Sequence, residues 1–179
     1  SNAVGDKDID EETIFAIHSM TKTVTTVATM ILHEKGSFEF DDPLHNYLPE
    51  FKDINCKGPD GIYPCDNELK IIHLLTHRSG YVYYLENGEN WLTATHKNLY
   101  PAYINTSRFT NLDEFSKSVA QQPLEFEPGT MYSYGLNQAL LGRLIEVVSG
   151  QSFYDFLKEN IFDKLGMDET KFHLSENDR

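Results

Sequence analysis

The stretch from Ser19 to Lys35 limits what this 179-residue chain can fold into more than any other. Val24, Val27, Ala28, Ile31 and Leu32 recur there at helical spacing, and Gly36 follows where a helix C-terminus favours a left-handed residue. Small and apolar residues surround that stripe, so the spacing predicts a long, central and largely buried helix. With 40% hydrophobic residues, the chain is long enough to close one core over such a helix.

The neighbouring segments read as mostly helical. Thr13 to Ile17 carries β-branched and aromatic residues and reads as a short strand or extended lead-in. Asp42-Pro43 starts a helical turn through Leu48, and residues 51–67 read as irregular or as a small hairpin. A short helix is expected from Leu69 to Thr76. Asn111 caps another through Gln121, with Leu112, Phe115 and Val119 on one face. Two more run from Leu136 to Val148 and from Phe153 to Lys164, ended by Gly150 and Gly166. Residues 81–109, with Trp91, Tyr100 and Tyr103, are the least regular part. They read either as a binding-site loop or as a surface excursion whose aromatics pack down.

Charge and composition exclude several functions. A formal net charge of -13 repels phosphate backbones, so no nucleic-acid partner is expected. No apolar run reaches the roughly 18 residues of a membrane span. Ser1-Asn2-Ala3 resembles a tag remnant, leaving 4–179 for the fold. Cys56 and Cys65 flank Gly58-Pro59-Asp60-Gly61, a turn that brings them together as a disulfide or leaves two free thiols. The bridge would suit an exported protein. His73 and His77 have metal-ligand spacing, but no Glu follows His73 and no third ligand accompanies them. Their expected role is structural, and no metal or cofactor is anticipated.

Ser19-Met20-Thr21-Lys22 carries the chemistry. Residues i and i+3 share a helix face, so the Lys22 amine can reach the Ser19 hydroxyl. A serine becomes a nucleophile when a base takes its proton, and a lysine serves once its pKa is lowered. The helix N-terminus adds N–H groups and partial positive charge that favour an oxyanion. The bare pattern is weak, because chance supplies roughly one S-x-x-K in a chain of this length.

Its surroundings are more specific. The segment Thr13 to Lys22, followed by the apolar helix, resembles the nucleophile region of the serine β-lactamase and penicillin-binding-protein superfamily. Ile71-Ile72-His73-Leu74-Leu75-Thr76-His77-Arg78-Ser79-Gly80 is similar to a landmark of its class C-like branch. Phe126-Glu127-Pro128-Gly129-Thr130-Met131-Tyr132-Ser133-Tyr134 resembles the turn leading to that branch's catalytic tyrosine, and the segment Leu140 to Glu146 matches the helix after it. The resemblance implies Ser19 as the acylated residue, Lys22 as the activating base and Tyr134 as the proton donor to the leaving group. It places Leu136 where the family's second motif usually has a substrate-binding asparagine, as in β-lactamase-fold esterases, with Asn137 as a possible substitute one residue late. A leucine cannot bond a substrate amide, which favours ester or peptide acyl substrates over efficient β-lactam hydrolysis.

The resemblance also sets expectations for the fold. The family's third motif does not occur before Arg179, and its early strands would precede residue 4. The chain is therefore expected to be a partial domain, mainly α: the helical region plus nucleophile helix of a β-lactamase/transpeptidase-like α/β fold, with most of the sheet missing. Loss of an oxyanion-hole donor costs on the order of a hundred- to a thousandfold in rate, so little activity is expected of the piece alone. Exposed sheet-facing surface would permit a homodimer. The implied setting is periplasmic, secreted or cell-envelope. The alternative function is an acylated sensor, or a penicillin- or peptide-binding module without turnover.

Overall fold

The computed structural model describes residues 9–10, 13–83 and 109–173. Trp91, Tyr100 and Tyr103, and with them both readings of residues 84–108, lie outside the described residues.

A 3-10 turn, His18–Met20, runs directly into α1, Thr21–Glu34. The helix ends in a Schellman arrangement. Gly36 adopts φ 72°, its N–H reaches His33 O at 2.8 Å, and the Ser37 N–H reaches Leu32 O at 3.1 Å. The burial of α1 differs from expectation. Thr25, Ala28, Thr29 and Leu32 form the buried face, whereas Val27 and Met30 are exposed. Two threonines replace the valine because each satisfies its hydroxyl inside the helix. Thr25 Oγ1 donates to Thr21 O at 3.1 Å and Thr29 Oγ1 to Thr25 O at 2.9 Å. So α1 offers one face to the core, not its whole circumference. Residues 13–17 form no strand, and Phe15 is 62% exposed.

Residues 44–67 pack against the remaining core. Two 3-10 turns, Leu44–Asn46 and Pro49–Phe51, bury Leu44 and Phe51. The antiparallel hairpin β1, Asn55–Gly58, and β2, Gly61–Pro64, is the one sheet among the described residues. Cys56 and Cys65 are joined as a disulfide, so the bridged alternative is the one present. Cys56 also bridges to Leu124, fastening the hairpin to the segment that leads toward Tyr134. Leu124 N–H donates to Asn55 O at 2.7 Å and Lys57 N–H to Leu124 O at 2.8 Å.

The helices follow the sequence signals closely. These are α2 (Ile71–Leu75), α3 (Leu112–Ala120), α4 (Asn137–Ser149) and α5 (Phe153–Leu157). A π-helical turn, Lys158–Phe162, then continues into α6, Asp163–Leu165. Asn111 caps α3 by accepting the Glu114 N–H at 2.8 Å, as its residue type predicts. Helix α4 lies at the centre and packs on α1, α2, α3 and α5. Its Leu140, Leu141, Leu144 and Ile145 are wholly buried, each contributing about 1.5–3 kcal/mol of transfer free energy. Arg143 on its outer side bonds Asp113 of α3 at 2.7 Å.

Candidate active site

Ser19 lies exposed on the 3-10 turn that precedes α1. His18 before it holds φ 44°, a left-handed conformation that costs a non-glycine residue of order 1–2 kcal/mol. Lys22 follows in the first turn of α1, and its Nζ donates to Ser19 Oγ at 3.2 Å. The third group arrives from across the molecule, with Tyr134 OH donating to the same Oγ at 2.9 Å. Lys22 Nζ also stands 4.8 Å from the centroid of the Tyr134 ring and 5.9 Å from that of Tyr83. The ammonium thus sits beside two phenol rings, a cation–π setting.

Tyr134 is held by a turn docked on α2. That helix ends, like α1, in a Schellman arrangement: His77 N–H reaches Leu74 O at 3.3 Å and Arg78 N–H reaches His73 O at 2.7 Å. Here the left-handed position is His77, φ 53°, not glycine. The Pro128-Gly129 turn then lies against this end. Gly129 N–H donates to Arg78 O at 2.7 Å, and Arg78 Nη2 donates to Gly129 O. A Cβ at Gly129 would fall 2.8 Å from His73 Nε2, so the landmark glycine is demanded by this docking. Beyond the turn, residues 134–136 run antiparallel to 81–83, with Val82 and Gly135 paired and Leu136 N–H donating to Tyr81 O at 3.2 Å. A Cβ on Gly135 would lie only 1.9 Å from Tyr81 O.

Behind Tyr134 lies a buried polar web. The His77 ring stacks on Tyr134 with centroids 4.9 Å apart and planes 28° from parallel. His77 Nδ1 receives Asn137 Nδ2 at 2.9 Å and the Gly135 N–H at 3.3 Å. Asn137 Oδ1 accepts from Ser79 Oγ, and Ser79 Oγ accepts the Tyr81 N–H at 3.0 Å. Burial lowers the pKa of His77, and the Lys22 charge lowers it further. The Tyr134 phenol also lies below its ordinary value, because the Lys22 and Ser19 hydrogen bonds outweigh desolvation and the Lys22 charge adds to them.

The five residues singled out from sequence thus fall into two groups. Ser19, Lys22 and Tyr134 converge on one oxygen. Leu136 and Asn137 lie behind them in the core, 3% and 0% exposed, with the Asn137 amide committed to His77 and Ser79. His73 and His77 have separate engagements. His73 Nδ1 accepts the Lys70 N–H at 3.2 Å and its ring packs on Gly129, whereas His77 serves the web. Sequence reasoning missed His77 and Tyr83 as parts of the site. The signal for His77 was its place just past a helix end, whereas the sequence was read for its spacing from His73 and for the family landmark that contains it. Cys56, Cys65 and Glu127 also lie within 4.8 Å of one another, but the disulfide leaves no thiolate to bind a metal.

An oxygen nucleophile flanked by an amine and an acidified phenol can exchange its proton with either and attack a carbonyl. Comparison with known proteins bears on the family and the fold. The sequence profile of the Beta-lactamase family matches residues 2–179. The chain is 31% identical over 169 residues to "Esterase EstB" of Burkholderia gladioli, covering 94% of this chain and 41% of that protein. A solved penicillin-binding protein from Bacillus halodurans superposes with TM-score 0.68 at 30% identity, over 93% of this chain and 47% of that one. An octameric penicillin-binding protein homologue from Pyrococcus abyssi superposes with TM-score 0.65 at 27% identity, over 93% and 34%. The chain therefore spans less than half the length of these relatives. What it shares with them is the helical part of the β-lactamase/transpeptidase-like fold. No helix among the described residues is long and apolar enough to cross a membrane.

Proposed function

The chain belongs to the beta-lactamase family, and on that premise we propose that it is a serine hydrolase working through an acyl-enzyme on Ser19. Its acyl donor is an ester, amide or β-lactam carbonyl. The observation that carries this reading is the convergence of Lys22 Nζ and Tyr134 OH on Ser19 Oγ, at 3.2 and 2.9 Å. Lys22 in its neutral form takes the Ser19 proton as Oγ bonds the carbonyl carbon. The bond to the leaving group breaks as the Tyr134 phenol protonates it, and Lys22 returns a proton to Tyr134. Water then attacks the acyl carbon by the same route reversed, releasing acid and Ser19.

Esters are the favoured substrates. Leu136 offers no amide to a β-lactam side chain, and Asn137, whose amide is engaged in the core, has none free to substitute. Met20 next to Ser19 and Tyr132 beside His77 are instead exposed, and such side chains suit an apolar acyl group. The esterase name of the Burkholderia relative supports the same choice. The Cys56–Cys65 bridge supports an exported, oxidising setting. Exposed Phe15, Val27 and Met30 are apolar surface that supports pairing of two copies. A monomer by sedimentation equilibrium at high protein concentration would reject that pairing.

Mass spectrometry after incubation with a fluorophosphonate and with a labelled penicillin tests the reading. The expected result is an adduct on the Ser19 peptide, absent in Ser19→Ala, with little turnover by these 179 residues alone; in a protein of its relatives' length, ester turnover should exceed that of nitrocefin. A stable adduct without turnover assigns a sensor instead, and no adduct assigns a non-catalytic binding module.

A further inference from the structure

The hydrogen bonds behind Tyr134 run in one direction. The Tyr81 backbone N–H can only donate, and it donates to Ser79 Oγ at 3.0 Å. Ser79 Oγ in turn donates to Asn137 Oδ1, and with that orientation Asn137 Nδ2 faces His77 Nδ1 at 2.9 Å. A second obligate donor, the Gly135 backbone N–H, reaches the same ring nitrogen at 3.3 Å. Two donors converging on Nδ1 require a lone pair there and exclude a proton. The ring is therefore neutral, with its proton on Nε2.

That ring is the surface against which Tyr134 lies. Its backbone is held left-handed at φ 53°, and its carbonyl accepts the Ser133 N–H at 2.9 Å, one residue before Tyr134. The groups facing it are Lys22 from α1, the phenols of Tyr132 and Tyr134, and the Asn137 amide from α4. A charged imidazole would set a second cation near Lys22 and an N–H against two N–H donors. Burial and the Lys22 charge act in the same sense.

We propose that His77 is a positioning residue: an imidazole held neutral as the Nε2–H tautomer, whose stacked face sets the plane of the Tyr134 ring beside Ser19 and Lys22. Its catalytic meaning rests on the acyl-transfer reading, while its geometry does not.

Nitrogen-15 NMR of the histidine-labelled protein reads the tautomer directly. The expected spectrum has an unprotonated Nδ1 and a protonated Nε2, with a titration midpoint below the ordinary value of about 6.5. A proton on Nδ1, or a midpoint at or above that value, overturns the proposal. Two variants each remove one of the properties the proposal requires, the ring or the acceptor. His77→Asn keeps an acceptor and tolerates the left-handed backbone, whereas His77→Phe keeps a ring and loses the acceptor. In both, the Tyr134 phenol, followed by carbon-13 NMR, is expected to move up toward its ordinary value. Ser19 labelling should slow by about ten- to a hundredfold, the scale of a misplaced catalytic group. An unchanged Tyr134 titration and labelling rate in a folded variant would show that His77 merely supports the fold. If His77→Phe does not fold, His77→Asn and the wild-type tautomer still decide. If the wild type forms no Ser19 adduct, the acyl-transfer reading fails, and the tautomer and the Tyr134 titration test this proposal without it.

Discussion

Ser19 and Tyr134 meet at 2.9 Å but arrive from walls of very different construction. The Tyr134 wall is anchored throughout: a turn docked on α2, a paired segment along 81–83, and a buried web of Ser79, Asn137 and His77. The Ser19 wall is one helix end. It follows an exposed lead-in, and the outer face of its helix shows Met20, Val27 and Met30 to solvent. Their helix ends repeat the contrast. Both α1 and α2 close in Schellman arrangements, yet α1 uses an unstrained glycine, Gly36, where α2 holds His77 at positive φ. Strain is retained where the side chain has a task, here against Tyr134. The lesson is that the proton-transfer partner is built into the fold, whereas the nucleophile is presented by it.

Five measurements would break or sharpen that contrast. Gly135→Ala should do most damage, because its Cβ meets the Tyr81 carbonyl at 1.9 Å. A loss of about 3 kcal/mol or more is expected in chemical denaturation, together with loss of Ser19 labelling. A normally stable variant would show that the 81–83 pairing is not what holds Tyr134. Reducing the Cys56–Cys65 disulfide, or replacing both cysteines with alanine, should cost about 2–3 kcal/mol. It acts on the same wall, since Cys56 fastens the hairpin to Leu124. Asn137→Ala should cost about 1–3 kcal/mol, because it takes away the acceptor of the Ser79 hydroxyl and one of the two donors to His77 Nδ1 inside the core.

The pH dependence follows from the same wall. Burial lowers the pKa of both His73 and His77, assisted by Lys70 and Arg78 for the first and by Lys22 for the second. Their neutral-state stabilisation is complete above the unfolded value of about 6.5 and is lost as pH falls through the lower folded values. Thermal melts should therefore decline on acidification from about pH 6.5, and His77→Asn should flatten that slope. Asp42 adds a later loss below 3.8, since its bonds from Tyr47 and the Glu39 N–H lower its pKa. Ser19→Ala should have the smallest effect on stability, within about 0.5 kcal/mol at so exposed a position, while abolishing covalent labelling. A large stability change there would mean that the nucleophile wall is also built into the core.

Much of the helical framework was legible because its signals are local. The Asn111 cap, Gly36, Gly150 and Gly166 all mark helix ends that the structure keeps. The inward face of α1 was less legible. Apolarity favoured Val27, but a threonine that bonds its own helix can be buried at little cost, so Thr25 and Thr29 took the inner positions. The reach of Lys22 to Ser19 was also local, since three residues on a helix bring two side chains together whatever the rest of the chain does.

The meeting of Tyr134 with that pair spans 115 residues, and no spacing rule reaches so far. Only family resemblance suggested it before the fold was known. The depth of Asn137 and the part played by His77 were decided by tertiary structure alone. Both depend on which backbone N–H groups converge on one buried amide and one ring nitrogen. Sequence alone set the helices and the local Ser19–Lys22 pair, because those depend on neighbours along the chain. Packing decided which wall is rigid and where Tyr134 lies, because those depend on neighbours in space.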